Sequence, residues 1–177
     1  MPRKIVLFIA ASADGFIADS QGNIDFLNLA ELPGEDYGYA SFTDSVDTVI
    51  LGRKTYEKVL SMGVEYPYRD KEVWVFSRSK RRPEGHIHFV QESPATFALA
   101  LKQRPGKDIY CDGGAEIIAQ LLSAQLIDQI ILTLIPISLQ AGIPLFPERK
   151  LPVNFKKVRE RSYPNGVLQR VFERLEP

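Results

Sequence analysis

Three short stretches of this 177-residue chain combine residue types that hold phosphate. Gly52-Arg53-Lys54-Thr55 joins a glycine to two cations and a hydroxyl, and Ser77-Arg78-Ser79 sets a guanidinium between hydroxyls. Asp112-Gly113-Gly114-Ala115-Glu116 places two bare backbone units between acids. A glycine at a helix start lets backbone approach a phosphate, and the helix N-terminus adds free N–H groups and positive partial charge. Gly113-Gly114 reads as a pyrophosphate seat, Arg53 and Lys54 as cationic donors, and Thr55 as a cap for the same helix start. Ser77 and Arg78 suit a further phosphate, because a planar guanidinium grips one in two-pronged fashion. Each stretch has a plainer reading, a tight turn for the glycines and a solvated loop for Ser-Arg-Ser. All three in order, each behind an apolar run, point to a phosphorylated dinucleotide at the carboxyl ends of strands.

A carboxyl with its pKa raised by burial can hand a proton to a bound ligand. Asp14 and Asp112 compete for that task. Asp14-Gly15 also reads as a turn. Asp112 accepts hydrogen bonds either from a bound ligand or from the backbone amides that follow it. Thr133, on an apolar strand, is a ligand contact or a satisfied core hydroxyl. Phe26, Tyr37, Tyr39 and Phe42 line a cleft for a flat ring or pack a helix; the spacing allows both.

The elements that must position these residues follow from the hydrophobic pattern. Runs rich in β-branched residues alternate with amphipathic stretches, which predicts an α/β fold with a mostly parallel sheet flanked by helices. Strands are expected over 4–11, 48–51, 72–76, 88–90, 108–111 and 129–135. Helices are expected over 36–45, from Gly52 through Leu60, after Ser93 and over 115–123; Ser93 caps its helix with Pro94 at the first position. Segments 155–163 and 167–175 flank Pro164-Asn165-Gly166 and predict an antiparallel C-terminal hairpin.

Composition narrows the classes. One domain spanning 1–177 is expected, since a chain of this length buries on the order of 70% of its unfolded surface. The 22 basic and 22 acidic side chains cancel, which argues against nucleic acid or an anionic membrane as partner. A single cysteine, Cys111, excludes an internal disulfide and reads as an inert buried thiol. His86 and His88 alternate but lack a third ligand, so no metal is expected. Arg3-Lys4 followed by an apolar run looks like a short leader, yet an N-terminal buried strand explains the same letters, and a cytoplasmic protein is the expectation. No apolar run approaches the ~20 residues of a membrane span.

The order and content of these pieces resemble the dihydrofolate reductase superfamily over nearly the whole chain. Gly52-Arg53-Lys54-Thr55-Tyr56-Glu57 is similar to that family's G-R-x-T-[WY]-E helix start. Ser77-Arg78-Ser79 is similar to its element for the ribose 2′-phosphate, and Gly113-Gly114-Ala115-Glu116 to its pyrophosphate-contacting segment. Ile131-Leu132-Thr133 resembles the strand whose threonine lies in the substrate pocket, and Ala10 and Ile17 match positions bordering the nicotinamide.

Two features resemble more closely the reductase domain of riboflavin-biosynthesis deaminase–reductases. One is Ser12-x-Asp14-Gly15-x-Ile17-Ala18; the other is Asp112, an acid immediately before Gly-Gly. Residues 136–146 also resemble that branch's P-x-x-L-x-x-G-x-P-L-F segment. The resemblance implies a dihydrofolate reductase-like fold, NADPH, and hydride transfer to a pterin-like or aminopyrimidine substrate such as 5-amino-6-ribosylaminouracil 5′-phosphate. It implies Asp36, Asp112 and Thr133 as the groups facing the reacting ring, Asp14 and Phe26 beside the substrate, and a homodimer. Asp36 also reads as a helix N-cap. A true dihydrofolate reductase and a non-catalytic NADPH-binding module are the alternative readings.

Overall fold

The computed structural model describes residues 2–175. Its elements in chain order are β1 (Ile5–Ser12), β2 (Phe16–Ala18), a 3-10 turn (Asp25–Ala30), α1 (Tyr39–Asp44), β3 (Val46–Gly52) and α2 (Arg53–Ser61). There follow β4 (Glu72–Phe76), β5 (Ile87–Val90), α3 (Pro94–Gln103), β6 (Asp108–Gly113), α4 (Ala115–Ser123) and β7 (Gln129–Ile135). The chain ends in β8 (Ile143–Pro144), a second 3-10 turn (Pro147–Arg149), β9 (Phe155–Ser162) and β10 (Leu168–Arg174).

One eight-stranded sheet has the order β5-β4-β3-β6-β1-β7-β10-β9, and β2 pairs with β8 in a small second sheet. The strands from β5 to β7 run parallel, while β10 is antiparallel to β7 and β9 to β10. This is the expected α/β sheet with its C-terminal hairpin. The parallel strands are buried on both faces, which is why they read as continuous apolar runs.

On one face, Ile5, Leu7, Ile109, Cys111 and Ile130 pack against Phe97 and Leu101 of α3 and Ile118 and Leu121 of α4. On the other, Val6, Val49, Leu51 and Tyr110 pack against Phe42 of α1 and Tyr56 of α2. A third cluster joins Phe26, Ile135, Tyr163 and Val167, with Ala10 and Tyr37 against it. No helix among the described residues is long and apolar enough to cross a membrane.

Local chemistry moves several boundaries. The Ser93 hydroxyl accepts from the Thr96 N–H at 3.2 Å with Pro94 at the helix start, as expected. The helix expected over 36–45 starts only at Tyr39, because Tyr37 and Gly38 have φ of 57° and 79° and form a turn. In the hairpin, Tyr163 N–H donates to Val167 O at 2.9 Å, and Gly166 at φ 84° makes the tight bend. The pair β2 and β8 has no counterpart in the sequence reading, since two or three residues carry no readable period.

Candidate functional site

The three phosphate-type stretches lie side by side. β4, β3 and β6 are adjacent parallel strands, so Ser77-Arg78, Gly52-Arg53 and Gly113-Gly114 leave the sheet at one edge. The register pairs Gly52 with Phe76 and Leu51 with Gly113.

Close approach explains the glycines. A Cβ on Gly52 would sit 3.0 Å from Ile117 Cγ1 of α4, and one on Gly114 would sit 3.0 Å from Thr55 Oγ1 of α2. The N-termini of α2 and α4 therefore lie against each other. Their cap residues are Gly52 and Gly114, and no side chain caps either helix. Thr55 is not the expected cap: α2 begins at Arg53 with Gly52 at the cap position, which leaves Thr55 three residues past it, and its hydroxyl faces Gly114 instead. The Gly113–Gly114 peptide is cis.

Cations surround this edge. Arg78 is 93% exposed in its side chain and donates to Glu116 Oε1 at 3.0 Å, linking the β4 and β6 exits. Arg53 donates to Glu57 at 3.3 Å, and Lys54 is exposed. Ser77 is buried, and its hydroxyl donates to Ser79 O at 2.9 Å, shaping the turn that presents Arg78. Ala115 follows the glycines in the first turn of α4.

Two uncapped helix starts, a backbone cradle that a Cβ would fill and an exposed guanidinium suit a pyrophosphate and the additional phosphate of a phosphorylated dinucleotide.

Asp112 lies half-buried on β6, one residue before that cradle. Its partners are not the following amides but two phenols. Tyr66 donates to Oδ2 at 2.5 Å and Tyr110 to Oδ1 at 2.9 Å. Burial pushes the Asp112 carboxyl above its ordinary range, and the two hydroxyls pull against that shift. Tyr39 of α1 belongs to the same group; burial, with the Asp112 charge, pushes its phenol up to about 12. Tyr110 had a readable signal, since i and i+2 on a strand share a face. Tyr66 had none, being 46 residues away on the loop after α2.

The other acids do different work. Asp36 is exposed, and its carboxylate accepts from Ala40 N–H and Gly38 N–H at 2.9 Å each. Those amides hold its pKa low, the reverse of what a proton donor needs, so the structure gives Asp36 the turn-holding role. Asp14 accepts from the hydroxyls of Ser12 (2.6 Å) and Ser138 (2.9 Å) and from the amides of Leu139 (3.1 Å) and Gln140 (2.8 Å). Burial works against its charge, but those four bonds hold its carboxyl well below the usual range. It fastens the loop after β7 to the β1–β2 turn, and its oxygens are taken up by the chain rather than by a ligand.

Thr133 is buried beside Ala10 in register and accepts from the Gln169 amide at 3.1 Å, which also donates to Tyr37 O at 2.9 Å. Phe26 is buried in the third cluster with Ala10 packed against it, and Ile17 is half-buried against the first. Burial pushes the Cys111 thiol up to about 12, so it is inert.

Known proteins are similar to this chain in sequence and fold. The uncharacterized Bacillus subtilis (strain 168) protein YwjB is 45% identical over 149 residues, 84% of this chain and 85% of that one. A Shewanella sp. PV-4 protein assigned provisionally to riboflavin biosynthesis has 30% identity and a TM-score of 0.86, covering 99% of this chain and 100% of that one. Two more distant structures share the fold. The Thermotoga maritima diaminohydroxyphosphoribosylaminopyrimidine deaminase/5-amino-6-(5-phosphoribosylamino)uracil reductase gives a TM-score of 0.72 at 15% identity. It is matched by 98% of this chain, which spans 57% of its length. The Enterococcus faecalis dihydrofolate reductase complexed with NADP(H) gives 0.67 at 17%, covering 98% of this chain and 97% of that one. With residues 3–169 matching the RibD C-terminal domain, the chain belongs to the RibD C-terminal domain family.

Proposed function

We propose that this chain is an NADPH-dependent oxidoreductase that transfers hydride to a pterin-like or aminopyrimidine substrate of the 5-amino-6-ribosylaminouracil 5′-phosphate kind. One observation carries the reading: the exits of β4, β3 and β6 share an edge, where two uncapped helix starts and Arg78 meet. Family membership supports it, as do the reductase activity named for the Thermotoga protein and the NADP(H) bound by the Enterococcus enzyme.

Bound at that edge, the coenzyme supplies a hydride. Gly113, Gly114 and the first turns of α2 and α4 seat the pyrophosphate, while Arg53 and Lys54 add positive charge. Arg78 releases Glu116 to take the 2′-phosphate, with Ser77 and Ser79 shaping its turn. Ala10 and Ile17 border the nicotinamide, and Thr133 lines the wall beside Ala10. Asp112 holds the proton that the reduced heteroatom takes up, because its carboxyl is half-buried and raised in pKa. A second copy of this chain is the proposed partner, supported by the resemblance and by the open edge of β9.

Arg78→Ala tests the assignment. Nicotinamide fluorescence titration should show NADPH affinity falling roughly 10–100-fold, the worth of a charge-assisted bond, with NADH unchanged. Equal losses for both coenzymes refute the 2′-phosphate contact. Turnover screened with dihydrofolate and with the ribosylaminopyrimidine side by side then separates the two substrate classes.

A further inference from the structure

Asp112 differs from the inward acids that meet cations. Asp47 pairs with Arg3, and Asp128 with Lys102 and Arg174. Asp112 enters no ion pair among the described residues, and each of its oxygens faces a neutral phenol, Tyr66 on Oδ2 and Tyr110 on Oδ1. Both phenols are buried, at 3% and 4% exposure, and they come from different elements, the loop after α2 and β6 itself.

The two phenols sit among further aromatic rings. Tyr68 stands edge-on to Tyr66 and Tyr110 at 5.8 and 6.0 Å, Tyr39 and Phe42 of α1 meet Tyr110 at 6.5 and 5.0 Å, and Tyr56 of α2 lies 5.7 Å from Tyr66. The titratable groups facing Asp112 are thus Tyr39, Tyr66 and Tyr110, with the Cys111 thiol next along the strand. An arginine or lysine here would lock the carboxylate as an anion. A phenol donates to the anion and also accepts from the protonated acid, so both forms keep their partners.

We infer that Tyr66 and Tyr110 are positioning residues for Asp112, holding its carboxyl at the end of β6 while leaving it free to gain and lose a proton. This rests on the reading of Asp112 as the group that handles the proton. Burial also raises the Tyr66 and Tyr110 phenols far from neutrality, so they remain donors throughout the working range.

The test is a carbon-detected NMR titration of the Asp112 carboxyl in the full chain, assigned with Asp112→Asn. Tyr66→Phe and Tyr110→Phe each keep the ring and remove one hydroxyl that favours the anion. Each should raise the Asp112 midpoint by about 1–2 pH units, the size of one hydrogen bond to a charged group. A midpoint that stays put in both variants, with only a lower melting temperature, overturns the inference.

Melting supplies a second readout. A folded-state carboxyl pKa above its unfolded value loses stability as pH rises, so the melting gap between wild type and Tyr66→Phe should widen with pH. In an Asp112→Asn background that pH dependence should vanish; if it persists, the inference fails. Neither measurement needs coenzyme or substrate. NADPH titration of the same variants therefore reports the proposed function separately.

Discussion

Arg78 and Glu116 show how little a single surface ion pair fixes and how much it can select. Their side chains are 93% and 62% exposed, and a pair in that setting is worth little to folding. Its weakness suits the proposed role, in which the guanidinium leaves Glu116 for a phosphate. Glu116→Gln should leave the melting temperature unchanged and tighten NADPH by roughly two- to tenfold, because the competing carboxylate and its repulsion are gone. Fluorescence titration at low salt checks this; weaker binding would place the 2′-phosphate elsewhere. The acids teach the complementary lesson. Asp14, Asp36 and Asp112 are one residue type, yet donors around the first two hold them ionised, while burial raises the third. Chemical role follows surroundings, and Tyr66, which sets those of Asp112, lies far away in sequence.

At the scale of elements, the sheet edge works because short connections deliver it. β3 runs straight into α2, Ser77 alone separates β4 from Arg78, and a single glycine separates β6 from α4. Elsewhere a loop needs fastening, and Asp14 does it by holding Ser138, Leu139 and Gln140. Asp14→Ala should lower stability by about 1–2 kcal/mol in urea titration, since a half-exposed carboxylate keeps part of its water. It should also speed hydrogen exchange at Leu139 and Gln140 while sparing the β6–α4 junction. Because the Asp14 pKa is lowered on folding, its contribution holds above the unfolded value of 3.8 and is lost only as pH falls below that. Unchanged exchange at those amides would mean that the loop is held by something else.

At the scale of the molecule, Asp128 ties together parts distant in the chain. It accepts from Lys102 of α3, from Arg174 at the end of β10 (2.8 Å) and from the Ile5 N–H at the start of β1 (2.8 Å). Burial opposes its charge, but those donors prevail and hold its pKa below the ordinary value. Asp128→Ala should cost about 3 kcal/mol at neutral pH, because two cations lose a largely buried partner. The gap from wild type should close as pH falls below 3.8, where the wild-type carboxylate also loses its charge. A gap independent of pH in chemical denaturation would show that packing, not charge, is what the substitution removed.

How much was legible in advance depends on the range of the interaction involved. Apolar runs, glycine junctions, Ser93 with Pro94 and the Asn-Gly bend are local signals, because backbone preference and side-chain period act within a few residues. They determined the alternating α/β pattern, the C-terminal hairpin and the three phosphate-type stretches. Their adjacency depended on strand order, and β4-β3-β6 became neighbours only when the sheet assembled. The short β2–β8 pair and the late start of α1 escaped for the same kind of reason, since pairing and a turn built by Asp36 outweighed local propensity. The surroundings of each acid formed last, through hydrogen bonds spanning as many as 126 positions. A carboxyl's proton affinity is a property of the solvent and donors around it, and those exist only once the chain has closed on itself.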